Sequence, residues 1–320
     1  MRATLKDVAQ RAGVSSATVS YMLNGKQSVS EKTKQRVLEA VRQLDYVPDL
    51  NARGLSTRDS KLIGVVVPQT EPGEHLMFQN TFYSEVLGSI EYYARQNGYH
   101  ILISATDANE SYQQMKESQI PIVLIDSYCN DYYYHNIRID NAYGSYLATR
   151  YILQNGHREI AFLVGRLQEN GVMKKRLTGY QKALAEFGVP YQPDYVLEGQ
   201  IDYESGVQHA RAIVERHLPV TAAVAAADIL AIGAMKGFYE LGLRIPDDLS
   251  IIGFDDLEIS RYMTPGLTTI KQQISLKGQR AVELLLKNIA QPGLTKQEEI
   301  LTLELVERES VRKIKGKTNY

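Results

Sequence analysis

Thr4-Leu5-Lys6-Asp7-Val8-Ala9-Gln10-Arg11-Ala12-Gly13-Val14-Ser15-Ser16-Ala17-Thr18-Val19-Ser20-Tyr21-Met22-Leu23-Asn24 places two short helical patterns on either side of one glycine. Leu5, Val8 and Ala9 recur at helical spacing, and Thr4 with Asp7 three residues later forms a capping-box-like start. Gly13 supplies the left-handed residue that ends the first helix and opens a tight turn. Ser15 or Ser16 caps the second helix, whose buried side falls on Ala17 or Thr18, Val19, and Met22 or Leu23. The outline is that of a helix-turn-helix, although a plain structural hairpin shares it.

A third helix is predicted from Ser30, an N-cap after the Asn24-Gly25 turn, with Val37, Leu38, Val41 and Leu44 on one face. Three helices within residues 1–46 make the minimal core of a DNA-binding helix-turn-helix head. Charge agrees. Residues 1–61 hold 11 Lys and Arg against 6 Asp and Glu, whereas the whole chain holds 36 against 37. A basic head on an acidic body suits a nucleic-acid partner met by one end. A solvated basic helix face would give the same charge, so charge supports the motif without deciding it.

Beyond the head comes Tyr46-Val47-Pro48-Asp49-Leu50-Asn51-Ala52-Arg53-Gly54-Leu55, then a polar stretch to Lys61. With Asp7-Val8-Ala9, Ala12-Gly13-Val14-Ser15, Thr18-Val19-Ser20, Leu23-Asn24 and Val29-Ser30, this segment resembles the headpiece and hinge of the lac repressor and galactose repressor family. The resemblance implies that the second helix enters the major groove, with Ser16, Ala17 and Tyr21 at the positions that carry specificity. It also implies that Ser15, Thr18, Ser20, Asn24, Ser30, Thr33 and Tyr46 bond phosphates; helix capping and surface solvation are the plain alternatives. Residues 47–61 are expected to be a hinge. Asn51 to Leu55 is too short for a stable isolated helix, and Gly54 weakens it by about 1 kcal/mol relative to alanine. By resemblance the hinge pairs with a second copy in the minor groove, and Leu55 wedges between base pairs. A leucine packed on the rest of the protein is the alternative.

From residue 62 the character changes. Leu62-Ile63-Gly64-Val65-Val66-Val67-Pro68 is a continuous apolar run, as expected of a strand buried on both faces. A helix over Tyr83 to Asn97 and a strand over His100 to Ser104 follow. Further strands are predicted at Ile122–Ile125, Ile160–Val164, Ala222–Ala226 and Leu249–Phe254, with helices near 143–155, 174–187, 204–216, 229–241 and 275–290. Alternation of this kind predicts an α/β chain with parallel sheets, and residues 62–320 suffice for two lobes. Asn155 to Ala161, Arg176 to Tyr180, Asp228 to Gly233, Gly253 to Asp256 and Pro265 to Ile270 are similar to the two-lobed, periplasmic-binding-protein-like core of the same family.

That core implies a small effector in the cleft between lobes, at the carboxyl ends of strands. By motif, Arg176 matches an effector-binding arginine and Asp255 an effector-binding carboxylate. Phe82 and Tyr83 fall where relatives line the cleft, with Asp126 and Asn170 as further candidates. The ligand expected is a sugar or a related metabolite such as a purine. A salt bridge tying the lobes together is the other reading of Arg176 and Asp255. Three departures stand out. Ala227 replaces an asparagine that many sugar-responsive relatives carry, an aromatic platform is missing near Ile201, and one strand–helix unit is absent between Thr106 and Pro121. That last loss would either make the Ile122–Ile125 strand substitute for the missing one or leave a gap.

Cys129 is the sole cysteine, which excludes an internal disulfide or a cysteine metal cluster. No phosphate-binding glycine loop, Gly-x-Ser-x-Gly elbow or His-Glu-x-x-His helix occurs, so no enzyme activity, cofactor or metal is expected. The expected protein is a cytoplasmic homodimer, or a higher assembly of dimers, whose partners are a pseudo-palindromic double-stranded operator and the effector. A solute- or sugar-binding protein without regulatory role is the alternative. It predicts a leader peptide or a catalytic acid–base pair, and the sequence shows neither.

Overall fold

The computed structural model describes residues 3–23, 29–46, 60–69, 80–107, 120–127, 134–167 and 171–314. Asn24, Leu55, Cys129 and Asn170 lie outside them. Two compact units emerge, Met1–Leu62 and Ile63–Tyr320.

The first unit is three helices, α1 (Leu5–Ala12), α2 (Ser16–Leu23) and α3 (Glu31–Gln43). α1 begins with a complete capping box between Thr4 and Asp7 and ends on Gly13 in the left-handed region at φ 62°. The Ser15 hydroxyl accepts from Thr18 N–H at 3.1 Å, so Ser15 caps α2. Ser30 likewise caps α3 through Thr33 N–H. Val8, Ala9, Ala12, Val19, Val37 and Ala40 form the core, with Val41 and Leu44 packed on it. Leu38 is the correction here. It is 40% exposed, because it lies about 100° around the helix from Val37, and Ala40 takes the inward place.

In the second unit, one lobe holds β1 (Leu62–Gln69), α4 (Thr81–Gln96), β2 (His100–Asp107), β3 (Val123–Ile125), β4 (His135–Ile139), α9 (Ile274–Ala290) and β10 (Glu298–Leu301). The other holds α5 (Asn141–Gln154), β5 (Ile160–Gly165), α6 (Val172–Glu186), β6 (Val196–Gly199), α7 (Tyr203–Glu215), β7 (Ala222–Ala225), α8 (Asp228–Glu240), β8 (Ser250–Asp255), β9 (Thr268–Lys271) and β11 (Glu304–Val306). The second lobe is one six-stranded sheet ordered β11-β9-β8-β7-β5-β6. It is parallel except for β11. Its faces fill by strict alternation: Ile160, Phe162 and Val164 enter one core, and Ala161 and Leu163 the other. Helix α5 packs with α6, and α7 with α8. Gly179 permits the first contact, because a Cβ there would lie 2.0 Å from the Ala142 carbonyl oxygen. The chain passes between lobes after β4, β9 and β10, giving three crossovers near residues 140, 272 and 302.

The first lobe is built differently. Among the described residues its strands form two separate sheets, β1-β2 and β10-β4-β3. The short strand β3 pairs in parallel with β4, not with β1. Among the described residues, then, β3 does not take a place beside β1. The expectation that β1 is buried on both faces also fails. Ile63 and Val67 are buried, whereas Leu62 is 42% and Val66 37% exposed. One face of β1 lies on apolar cover that includes Tyr83 and Leu87, and the described residues leave the other face open. No helix among the described residues is long and apolar enough to cross a membrane.

Candidate nucleic-acid interface and effector cleft

On α2, Ala17 and Tyr21 are exposed, with Tyr21 at 46%, and Ser16 is half-buried. The first turn of the helix is therefore open. The Ser15 and Thr18 hydroxyls bond each other at 2.8 Å, and those of Ser30 and Thr33 do so at 2.9 Å. In the free head these four hydroxyls already serve helix starts. Ser20 and Tyr46 are half-buried, and Tyr46 packs on the core of the head. Arg36, which sequence reasoning passed over, donates from Nη2 to the carbonyls of Ala12 and Gly13 and pins the turn between α1 and α2. One cation of the basic head thus serves the fold.

In the second unit the predicted residues meet at the carboxyl ends of the parallel strands. Arg176, in the first turns of α6, is 5% exposed. Its Nε donates to Asn141 Oδ1 at 2.8 Å, its Nη1 to the Ala226 carbonyl beyond β7, and its Cζ lies 3.6 Å from the Phe254 ring centroid. Nη1 is 3.7 Å from Asp255 Oδ1. Both partners belong to the same lobe, which corrects the reading of this pair as a tie between lobes. Burial pushes the Asp255 carboxyl up to about 7, with Arg176 pulling the other way.

The link across the lobes is made elsewhere. Gln272, on the crossover after β9, donates from Nε2 to Asp255 Oδ1. Its Oε1 accepts from Lys277 Nζ at 2.6 Å. Lys277 also donates to Asp126 Oδ2, and its Nζ lies 5.4 Å from the Phe82 ring centroid. The Phe82 and Tyr83 rings meet edge to face at 5.5 Å. One polar chain therefore runs Arg176, Asp255, Gln272, Lys277, Asp126. It gathers four of the predicted residues, Arg176, Asp255, Asp126 and Phe82, with Tyr83 beside them, and two that were not predicted, Gln272 and Lys277. Asp126, Asp255, Asp256 and Gln273 all have positive φ, at 51°, 130°, 57° and 54°. Non-glycine residues held this way mark backbone bent to place side chains.

Behind this chain Asp228 is fully buried. It accepts from Leu257 N–H at 2.9 Å and Ser260 Oγ at 2.7 Å, and also from Thr269 Oγ1. Burial raises its carboxyl above the usual range, and those donors offset part of the rise. Glu85 of α4 accepts from Glu258 N–H at 2.9 Å, and Thr81 Oγ1 lies 3.3 Å from the Tyr203 hydroxyl. Each of these two contacts joins one lobe to the other.

Residues 4–49 match the bacterial regulatory proteins of the lacI family, and residues 149–311 match the periplasmic binding protein-like domain. The ribose operon repressor of Haemophilus influenzae is 33% identical over 340 residues, covering 98% of this chain and 100% of that protein. The chain belongs to the lacI family of bacterial regulatory proteins. A lac repressor dimer bound to operator and the anti-inducer ONPF has a TM-score of 0.80 at 28% identity, covering 98% of this chain and 100% of that one. A LacI family regulator from Enterococcus faecium with bound ribose has a TM-score of 0.71 at 25% identity, covering 79% and 100%. The alignment with the ribose operon repressor runs longer than the 320 residues of this chain, so that repressor has positions without a counterpart here.

Proposed function

We propose that this lacI-family protein is a ligand-controlled transcriptional repressor, without catalytic activity, acting as a homodimer on a pseudo-palindromic operator. The observation that carries the reading is an open-faced, capped helix-turn-helix in the same chain as a buried polar chain spanning two lobes. Ser16, Ala17 and Tyr21 read base edges, while Ser15, Thr18, Ser20, Asn24, Ser30, Thr33 and Tyr46 bond phosphates. The domains are a head over 1–46, a hinge over 47–61 and a core over 62–320. Within the hinge, Leu55 wedges a base step at the operator centre. Phe82, Tyr83, Asp126, Asn170, Arg176 and Asp255 contact an effector, a sugar or related metabolite. The ligand acts by binding open and closed lobes unequally, since only differential affinity shifts such an equilibrium.

The test is a binding measurement at fixed salt against genomic fragments, repeated with a panel of sugars and nucleobases. Retention of one palindromic fragment, altered by one metabolite, is expected. Equal retention of every fragment overturns the reading. Leu55→Ala should leave the melting temperature unchanged and weaken specific operator binding by about tenfold or more, the scale of one lost unstacking contact. Unchanged affinity removes the wedge.

A further inference from the structure

Lys277 is out of place by pattern. On α9 the inward residues Ile274, Ala281, Val282 and Leu284 are apolar, and Lys277 shares their buried side with no exposed surface. A lysine at such a position is destabilising unless its ammonium is fully partnered. Here it is held by the Asp126 carboxylate, by Gln272 Oε1 and by the Phe82 ring face. Asp126 in turn is left half-used. Its Oδ2 takes the ammonium, while Oδ1 is buried with no hydrogen-bond partner among the described residues. A buried carboxylate oxygen in this state is an acceptor waiting for a donor.

The two walls are electrically alike. One lobe presents Arg176 with Asp255, the other Lys277 with Asp126, and Gln272 joins them with its amide nitrogen on one carboxylate and its oxygen on the ammonium. Each cation is paired with one carboxylate, so the geometry leaves no unpaired cation to receive an anionic ligand. We infer that Lys277 is a specificity-determining residue of the cleft. By neutralising and orienting Asp126, it makes the site select an uncharged, hydroxyl-bearing ligand and reject that ligand's phosphate ester. A hydroxyl donates to Asp126 Oδ1, whereas a phosphate dianion would meet two carboxylates with no unmatched cation to receive it. Gln272 acts through its neighbours as a positioning residue, keeping both pairs in register across the crossover. The inference rests on the cleft being the effector site proposed above.

The experiment uses the full chain and titration calorimetry with D-ribose, D-glucose and cellobiose, each beside its phosphate ester. The wild-type protein is expected to bind one uncharged sugar and to bind its ester at least about tenfold more weakly. Asp126→Asn keeps the shape but leaves the ammonium unmatched, so the ratio of sugar to ester affinity should fall by about tenfold or more. Lys277→Met/Asp126→Asn, which restores balance, should again disfavour the ester. Operator binding by each variant shows that it has folded. Wild-type preference for an ester overturns the inference while leaving the sensor reading intact. So does an unchanged ratio in Asp126→Asn. Failure of the wild-type protein to bind any of these probes overturns the inference, and the sensor reading falls with it only where no nucleobase of the operator panel acts either.

Discussion

Asp255 sits where burial and pairing oppose each other, and its titration reports the balance. Its carboxyl is 4% exposed and is pushed from an ordinary 3.8 up to about 7, with desolvation outweighing Arg176. A carboxyl with a raised pKa in the folded state stabilises that state in acid. The contribution is complete below about pH 4 and is lost as pH rises through about 7. In urea unfolding, Asp255→Asn should remove this segment, so wild type gains stability relative to the variant on going from pH 8 to pH 5. The expected difference is on the order of a few kcal/mol, at about 1.4 kcal/mol per pKa unit. Parallel pH profiles would show that Asp255 stays ionised in the folded protein. Arg176 and Asp255 were legible because each lies within a local run of matching residues. Lys277 was not. Helical spacing places it on the buried side, but nothing local reveals that its ammonium meets Asp126, 151 residues away.

At the scale of elements, helix starts and stops were the most legible features, because each is written in a few adjacent residues. Thr4 with Asp7, Gly13, Ser15 and Ser30 all act as their types predict. Gly13 adopts φ 62°, and a Cβ there would also meet the Arg36 guanidinium at 2.5 Å. Gly13→Ala should therefore lower head stability by about 1–2 kcal/mol from the left-handed backbone alone, measured by thermal melting. An unchanged melt would mean the turn relaxes at no cost. Strand β1 shows the opposite case. Its apolar run is that of a doubly covered strand, yet coverage depends on elements distant in the chain, and Val66 is left at the surface. Edge amides without ladder partners exchange readily. Amides on the sides of β1 and β3 that meet no strand among the described residues should exchange at least about 100-fold faster than those of β7 and β8, which lie inside the six-stranded sheet. Equal protection in hydrogen exchange would mean that both strands are paired on each side in solution.

For the whole molecule, the decisive asymmetry is electrostatic. The basic excess of residues 1–61 is concealed in a chain whose total is 36 cationic against 37 anionic side chains. The mean charge would exclude nucleic acid; its distribution points to it. Two such heads on the proposed operator would displace counterions along the duplex, and the affinity should fall steeply with salt. Six to ten neutralised phosphates correspond to a loss of about 10³–10⁵ in binding between 50 and 200 mM salt. Substitutions on the acidic core should leave that slope unchanged. Replacing an exposed head cation such as Lys34, which pairs with the exposed Glu31 at 3.5 Å, should reduce it by about two units, one for each head. Arg36 should behave differently, because it is bound to the turn carbonyls. Its loss should destabilise the head before it alters the salt slope. A weak salt dependence in the unaltered protein would mean that phosphate contacts contribute little to operator binding, and the basic head would need another explanation.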